Sequence, residues 1–411
     1  MSRTYDVVVY GATGFTGKLV CRYLASHPES PRWALGGRNQ AKLKKLRADL
    51  GLSTDVGTLE ADSTKYNSLV EMAKQVSVVI NLAGPYRKNN ADNVVKACVE
   101  AATSYVDLSG ETGFNATLID RYHLEAQAKG IIIAPSVGFD SLPFDLSTYL
   151  AVQHAKKLGG PASEVLTADC GIVVKGGVSS GTISSAIDMH HDPAQLSACK
   201  PDWLSPVVGS HTSTHYLSHY FAHFNKYGAI TPFTPHNHRI VNRSWGLLQQ
   251  AHADEAYGKT FQYQDGAIVP ARPIAWFASF MVGLIGWSLG HIAIFRWLLT
   301  SILPENGGPS PSKLENGMMR VETLARTKKS AAVCTMKAKG DPGYTLTSRM
   351  IVETALTIAR EDRARCGPLA AKGGVLTSAT LGAEVLASRL EKFAGFQIQT
   401  VEWDGESRKT R

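Results

Sequence analysis

The chain has 411 residues, 44% of them hydrophobic, enough for two cores, and its 19% of charged residues falls below the usual quarter of a soluble domain. A net charge of +8 suits an acidic cofactor, an anionic membrane or nucleic acid, but the cations are spread without a Lys/Arg block, so no nucleic-acid partner is expected. The six cysteines (Cys21, Cys98, Cys170, Cys199, Cys334 and Cys366) are scattered and form no C-x-x-C pair, which fits reduced thiols in a cytosol-facing protein rather than a disulfide framework or zinc ribbon.

The opening MSRTYDVVVYG runs straight into a strand with no apolar signal core, so no cleaved targeting signal is expected. Tyr5 to Tyr10 is a short β-branched run, the pattern of a buried parallel strand. A glycine turn follows, Gly11-Ala12-Thr13-Gly14-Phe15-Thr16-Gly17, and opens a helix reaching about Ser26. In that context the first glycine permits the tight turn, the second the approach of a pyrophosphate, and the third close helix–strand packing. Backbone N–H groups and the helix dipole would hold the phosphate charge. The alternation continues with strands at Trp33–Gly37, Val56–Ala61, Val76–Asn81, Tyr105–Leu108 and Ile131–Pro135. Helices lie between at Gln40–Leu50, Tyr66–Lys74, Ala91–Ala102 and Leu118–Lys129. This predicts an α/β fold, an N-terminal Rossmann doubly wound parallel sheet.

The end of the second strand discriminates between cofactors. An NAD enzyme usually carries Asp or Glu there, whereas this chain has Gly36-Gly37-Arg38-Asn39 with Lys42 one turn on. Arg38 suits a bidentate contact to a 2′-phosphate, so NADP, as NADPH, is the expected cofactor; a solvated arginine at a helix start is the plainer reading. Asp62, after the third strand, would lie near the adenine. Ala83-Gly84-Pro85, after the fourth, would lie beside the nicotinamide half.

After Gly138 the texture changes. Val165–Val174 and Ala331–Lys339 read as longer strands with a helical run, Thr182–His190, between them, a second α+β region that would hold the substrate. Residues 200 to 270 have weak periodicity. His211, His215, His219 and His223 recur every four residues and would line one side of a helix, but no carboxylate or cysteine completes a zinc set, so no metal is expected. Ile274 to Phe295 has no Asp, Glu, Lys or Arg and is long enough to cross a bilayer core. It could insert into a membrane, coat a lipid droplet or wall an internal lipid pocket; a peripheral or re-entrant insertion is favoured over a buried core helix. The stretch Pro304–Ser312 is a linker by composition, Leu381–Phe393 is helical, and Phe396–Val401 is a last strand.

The segments YGATGFTG (10–17), LGGRN (35–39), NLAGPY (81–86), YVDLSGE (105–111), GFDSLPFDL (138–146) and, more weakly, KGGVLTSATLGAEVLASRL (372–390) together resemble the saccharopine dehydrogenase-like oxidoreductases, a family that includes trans-acting enoyl reductases of lipid and polyketide assembly. The resemblance implies a Rossmann domain over residues 1–140, an inserted substrate domain over 141–370 containing the apolar segment 274–303, and elements over 371–411 that return to the Rossmann domain. It implies no metal and does not name the substrate.

Hydride transfer draws its hard chemistry from the cofactor and often needs a protein proton donor near the carboxyl ends of strands four to six. Tyr86, Asp107 and Asp140 are the candidates, with Ser109, Glu111, Ser141 and Asp145 close in sequence; Asp140 and Asp145 equally suit a helix start. A membrane-seeking segment would meet hydrophobic or acyl substrates, so the expectation is an NADPH-dependent reductase of a lipid, polyketide or enoyl thioester at a cytosol-facing membrane or lipid-droplet surface, with a homodimer as one option for its assembly. The alternatives are a saccharopine-type amino-acid dehydrogenase and a non-catalytic NADP(H)-binding protein on lipid.

Overall fold

The computed structural model describes residues 3–160, 162–176, 202–209, 217–302 and 308–405. The first part alternates β1 (Tyr5–Tyr10), α1 (Phe15–Ala25), β2 (Trp33–Gly37), α2 (Gln40–Asp49), β3 (Gly57–Glu60), α3 (Tyr66–Ala73), β4 (Val76–Asn81), α4 (Ala91–Glu100), β5 (Ser104–Asp107), α5 (Thr112–Ala128) and β6 (Ile132–Ala134), and leaves the sheet through α6 (Leu142–Gly159). The chain continues with β7 (Val165–Lys175), β8 (His219–Phe221), β9 (Lys226–Ala229), α7 (Thr234–Gln250), β10 (Gln262–Val269), α8 (Arg272–His291), α9 (Ala293–Ile302), α10 (Pro311–Glu315), β11 (Met318–Thr327) and β12 (Ala331–Lys339). A π-turn, Pro342–Leu346, leads to α11 (Thr347–Arg360), α12 (Pro368–Lys372), β13 (Gly374–Val375), α13 (Ala383–Ala394) and β14 (Gln397–Glu402).

The first sheet is parallel, in the order β13-β6-β5-β4-β1-β2-β3. The β-branched runs of β1 and β4 follow from cover on both faces, since a parallel strand between helix layers has no polar side. Strand order reverses between β1 and β4, which opens a crevice above their carboxyl ends. One face packs α3, α4 and α5 through Val8, Leu69, Val79, Val95 and Phe114. The other face carries α1 and also α11, whose Met350 and Ile351 join Val7, Val9 and Ile80 in one core. That core runs on without a break to Ile172, Val321 and Met336 of the second sheet, a mixed sheet in the order β14-β12-β11-β7-β10-β9-β8.

Two expectations about the division of the chain need correction. α11 covers the first sheet although it lies inside 141–370, because its apolar face matches the open side of β1, β4 and β5. The tail is split: β13 pairs with β6 of the first sheet, but β14 pairs with β12 of the second, so 371–411 does not return whole. The histidine run is not one helix either. His219 lies on β8, where its ring meets the Asp169 carboxylate at 2.8 Å, and His223 lies in the turn beyond. His211, His215, Cys199, the run Thr182–His190 and residues 303–307 of the linker fall outside the described residues.

The apolar segment forms α8 and α9. Among the described residues, α8 alone is long and apolar enough to cross a membrane. It is not a core helix: only Ala275, Ser279, Ser288 and Leu289 are buried.

Candidate cofactor and active site

The glycine turn is built as its spacing requires. Gly11 sits at φ +88°, and a Cβ there would also come within 3.1 Å of the backbone at Leu82 and Ala83, so the loops after β1 and β4 can meet only through glycine. A Cβ at Gly17 would collide with the carbonyl groups of Gly11 and Ala12, which explains the closeness of α1 to the turn. Gly14 is the N-cap of α1, and its own amide donates to the Gly11 carbonyl at 3.0 Å. Among the described residues no side chain caps this end, and no acid lies in its first turn, so the amides at Phe15, Thr16 and Gly17 remain available to an anion. The Phe15 ring meets Tyr344 edge-on at 5.3 Å, and Gly308 packs against the outer atoms of the same ring.

Beside this turn, Thr13, Gly37, Arg38, Asn39, Lys42 and Leu43 line an open cleft of about 250 Å³. Arg38 and Lys42 are exposed, and their side chains make no hydrogen bond or ion pair with the described residues. Asn39 caps α2 by accepting from the Lys42 amide at 2.9 Å, which fixes the turn that carries both cations. Asp62 accepts from the Thr64 amide and hydroxyl at 3.0 and 2.8 Å, and those bonds hold its carboxyl below the usual range. An open cleft with two free cations and no acid at the end of β2 fits a 2′-phosphate, so the residues present suit NADP(H).

The loop after β4 is pinned from several sides. The Glu111 carboxylate accepts from the Tyr86 and Arg87 amides at 2.7 and 3.1 Å, Asn89 donates to the Gly84 carbonyl at 2.8 Å, and the Ala83 amide donates to Asn81 at 3.0 Å. Pro85 follows a cis peptide bond. Of the three proton-donor candidates, two are structural. Tyr86 is buried and stacked on Phe114; its hydroxyl donates to the Asn81 carbonyl at 3.2 Å and accepts from the Leu108 amide at 3.0 Å. Burial holds its phenol far above the ordinary value. Asp107 is fully buried and accepts from Tyr105 and from the Ser109 and Ser136 amides at 2.9, 2.8 and 2.9 Å, so it ties the end of β5 to that of β6; burial pushes its carboxyl up to about 7.

Asp140 differs. It lies half-buried in the loop after β6 and makes no hydrogen bond or ion pair with the described residues, and burial alone pushes its carboxyl up to about 6. Ser141 Oγ lies 3.5 Å from Asn237 Oδ1. Asp145 is used elsewhere: it accepts from Ser244, Ser378 and the Ala379 amide at 2.6 to 2.9 Å.

Residues missed in the sequence arrive on α7. His236 reaches the first sheet, with Nδ1 2.8 Å from Thr112 Oγ1 and Nε2 3.1 Å from Ser136 Oγ. Burial pushes its imidazole down to about 3, so it is uncharged at neutral pH and serves as a hydrogen-bonding wedge beneath the site. Its only sequence signal was a histidine in an unplaced region, too weak to separate from the other twelve.

Residues 7–134 match the family model for the saccharopine dehydrogenase NADP-binding domain. A Mycobacterium tuberculosis protein, provisionally named a trans-acting enoyl reductase, is 35% identical over 97% of this chain and 98% of its own length. A trans-acting enoyl reductase of Mycobacterium ulcerans is 33% identical over 94% of this chain and 96% of its own. A Bos taurus saccharopine dehydrogenase-like oxidoreductase is 28% identical, covering 91% and 92%. In architecture the chain is similar to apo saccharopine dehydrogenase (L-Glu forming) from Saccharomyces cerevisiae, with a TM-score of 0.53 at 14% identity over 97% of this chain and all of that one. The NADP-binding turn, the Arg38 cleft and these full-length relatives lead to one conclusion: the chain belongs to the saccharopine dehydrogenase-like oxidoreductases and is an enzyme that binds NADP(H).

Proposed function

We propose that this enzyme reduces a hydrophobic acyl substrate, of which an enoyl thioester is the leading class, and that Asp140 holds the proton the substrate receives. The observation that carries the reading is Asp140 itself, a carboxyl with no hydrogen-bond or ion-pair partner among the described residues and a raised proton affinity, in the loop after β6. Its neighbour Phe139 is buried and meets Phe233 edge-on at 5.8 Å, so the carboxyl borders an apolar core that favours its protonated form. The names of the mycobacterial relatives point to enoyl reduction.

When bound, the nicotinamide supplies a hydride to the electron-poor β-carbon of the double bond. The chain does the rest. Arg38 and Lys42 would hold the 2′-phosphate, and the α1 amides would hold the pyrophosphate. Glu111 fixes the Gly84–Arg87 loop, which would lie beside the nicotinamide half. The Asp140 carboxyl delivers its proton to the α-carbon and is left as a carboxylate, which water reprotonates after turnover.

The test is NADPH oxidation with enoyl thioesters of increasing chain length, with saccharopine and NADP+ run alongside. kcat/KM is expected to rise with chain length, and Asp140→Asn to lower kcat by roughly 10²–10⁴-fold while NADPH still binds. Turnover of saccharopine with none of any enoyl thioester would overturn the reading in favour of an amino-acid dehydrogenase. NADPH binding without turnover of either would leave a non-catalytic binding protein.

A further inference from the structure

We infer that the outward face of α8, continued by α9, docks on an anionic phospholipid surface. The inference stands on these helices alone and not on the choice of substrate.

The polarity of α8 is inverted. Ordinary surface helices turn their apolar stripe to the protein and their polar side to water. Here Trp276, Phe277, Phe280, Leu284 and Trp287 fall on one stripe at helical spacing and are between 41% and 67% exposed. The side turned to the protein offers Ala275 and Ser279, and the Ser279 hydroxyl accepts from the Ile230 amide at 3.1 Å next to β9. The backbone then breaks at Ile292, at φ −109° and ψ 102°, and α9 adds Ile294, Trp297 and Leu298 to the exposed apolar surface. Arg296 Nη1 closes the break by donating to the Leu289 and Gly290 carbonyls at 3.0 Å each. A patch of this size on a water-exposed helix marks an interaction site.

Charge selects the occupant. From Asp265 to Glu305 the chain has no Asp or Glu between the two and carries Arg272 and Arg296. At the start of the α8 stripe the Arg272 guanidinium sits 4.9 Å over the Trp276 ring, and at its end the Trp287 ring stacks on His291 at 5.3 Å. Tryptophans on either side of an apolar centre, with the Arg272 and Arg296 guanidiniums in the same acid-free stretch, match the headgroup boundary of an anionic leaflet. A second copy matches less well, because a two-fold contact through this stripe would bring its cations onto a patch with no acid to meet them.

The chain leaving α9 returns to the glycine turn. Ile302 and Gly308 are six residues apart, and Gly308 packs against Phe15 of the glycine turn. Six residues of extended chain span at most roughly 20 Å.

The experiment is flotation of the purified protein with vesicles of phosphatidylcholine containing phosphatidylserine, and with neutral phosphatidylcholine vesicles, at low and high salt. Wild type is expected to float with the anionic vesicles and to lose binding in high salt or on neutral vesicles. Phe280→Asp/Leu284→Asp, both outward-facing, is expected to weaken flotation by roughly tenfold or more while NADPH still raises its melting temperature. Phe280→Gln/Leu284→Gln is the second variant, with the same expectation, should the carboxylates impair folding. Wild type that stays at the bottom of the gradient, or a folded variant that floats as wild type does, overturns the inference. Equal binding to neutral vesicles overturns its anionic part. A dimer in sedimentation velocity that the Asp pair dissolves, with no flotation, assigns the face to a second copy instead.

Discussion

Arg38 and Asp140 carry the two most direct tests at the scale of single residues. Arg38 is exposed, has no hydrogen-bond or ion-pair partner among the described residues and lines the cleft beside the glycine turn. Arg38→Ala should weaken NADPH by about 1.5–3 kcal/mol, the worth of a charge-assisted hydrogen bond, and leave NADH nearly unchanged. Fluorescence titration with both cofactors checks this, and equal losses would remove the 2′-phosphate role. Asp140 makes a prediction in pH. Its carboxyl is raised to about 6 by burial, so the protonated form is complete at lower pH and drains away above it. A reaction that needs that proton should run at its plateau below pH 6 and fall about tenfold per pH unit above, as the acid fraction does. Asp140→Asn should abolish that limb; a limb that persists in the variant belongs to another group. Tyr86 and Asp107 show why such candidates need geometry. Both have the right chemistry and lie after the right strands, but each spends its polar atoms joining strand ends.

Among elements, the turn between β1 and α1 separates two kinds of glycine. A Cβ at Gly14 would touch only the Gly11 carbonyl, at 3.3 Å, whereas one at Gly17 would enter the backbone of the turn. Gly14→Val should therefore fold normally and lose both NADPH and NADH, because its branches occupy the pyrophosphate's place. Gly17→Ala should lower stability instead, by about 1–3 kcal/mol, the scale of an overpacked contact. Thermal melts paired with cofactor titrations distinguish them, and the reverse outcome would mean the anion binds elsewhere. This turn was legible because strand, glycines and helix stand side by side in the sequence. The parallel strands were legible for a related reason: buried on both faces, they are written as β-branched runs. Other elements were hidden by partners distant in sequence. α11 reads as TSRMIVETALTIAR, yet almost all of it is buried, and its Glu353 is satisfied by Tyr23 of α1, His27 just after that helix and Arg389 of α13. α5 starts at Thr112, before the apolar period that marks it, because Gly113 and Asn115 are buried at its beginning. α7 holds three buried polar residues in succession, His236 to His238, which periodicity reads as loop.

For the whole molecule, the shared core decides how the parts respond to one another. The apolar cluster that begins at Val7 and Val9 of the first sheet passes through α11 to Val321 and Met336 of the second. Polar links follow the same route. Arg243 of α7 donates to the Leu204 carbonyl at 2.7 Å and to the Val375 carbonyl of β13, while Ser244 beside it meets Asp145 and Thr377 at 2.6 Å each. Chains of this length often unfold in stages, each part with its own core. Here the second sheet cannot come away without opening the face of the first, so one transition is expected. Tryptophan reports on it well: six of the seven lie beyond residue 200, far in sequence from the glycine turn. A ligand that binds only the native state at 100 times its Kd adds about 2.7 kcal/mol of stability. If the two sheets unfold together, NADPH should raise the melting transition seen by tryptophan emission as much as the one seen by loss of bound cofactor. Tryptophan melting that ignores NADPH, while the cofactor site melts later, would show that the two sheets are independent and that the common core does not couple them.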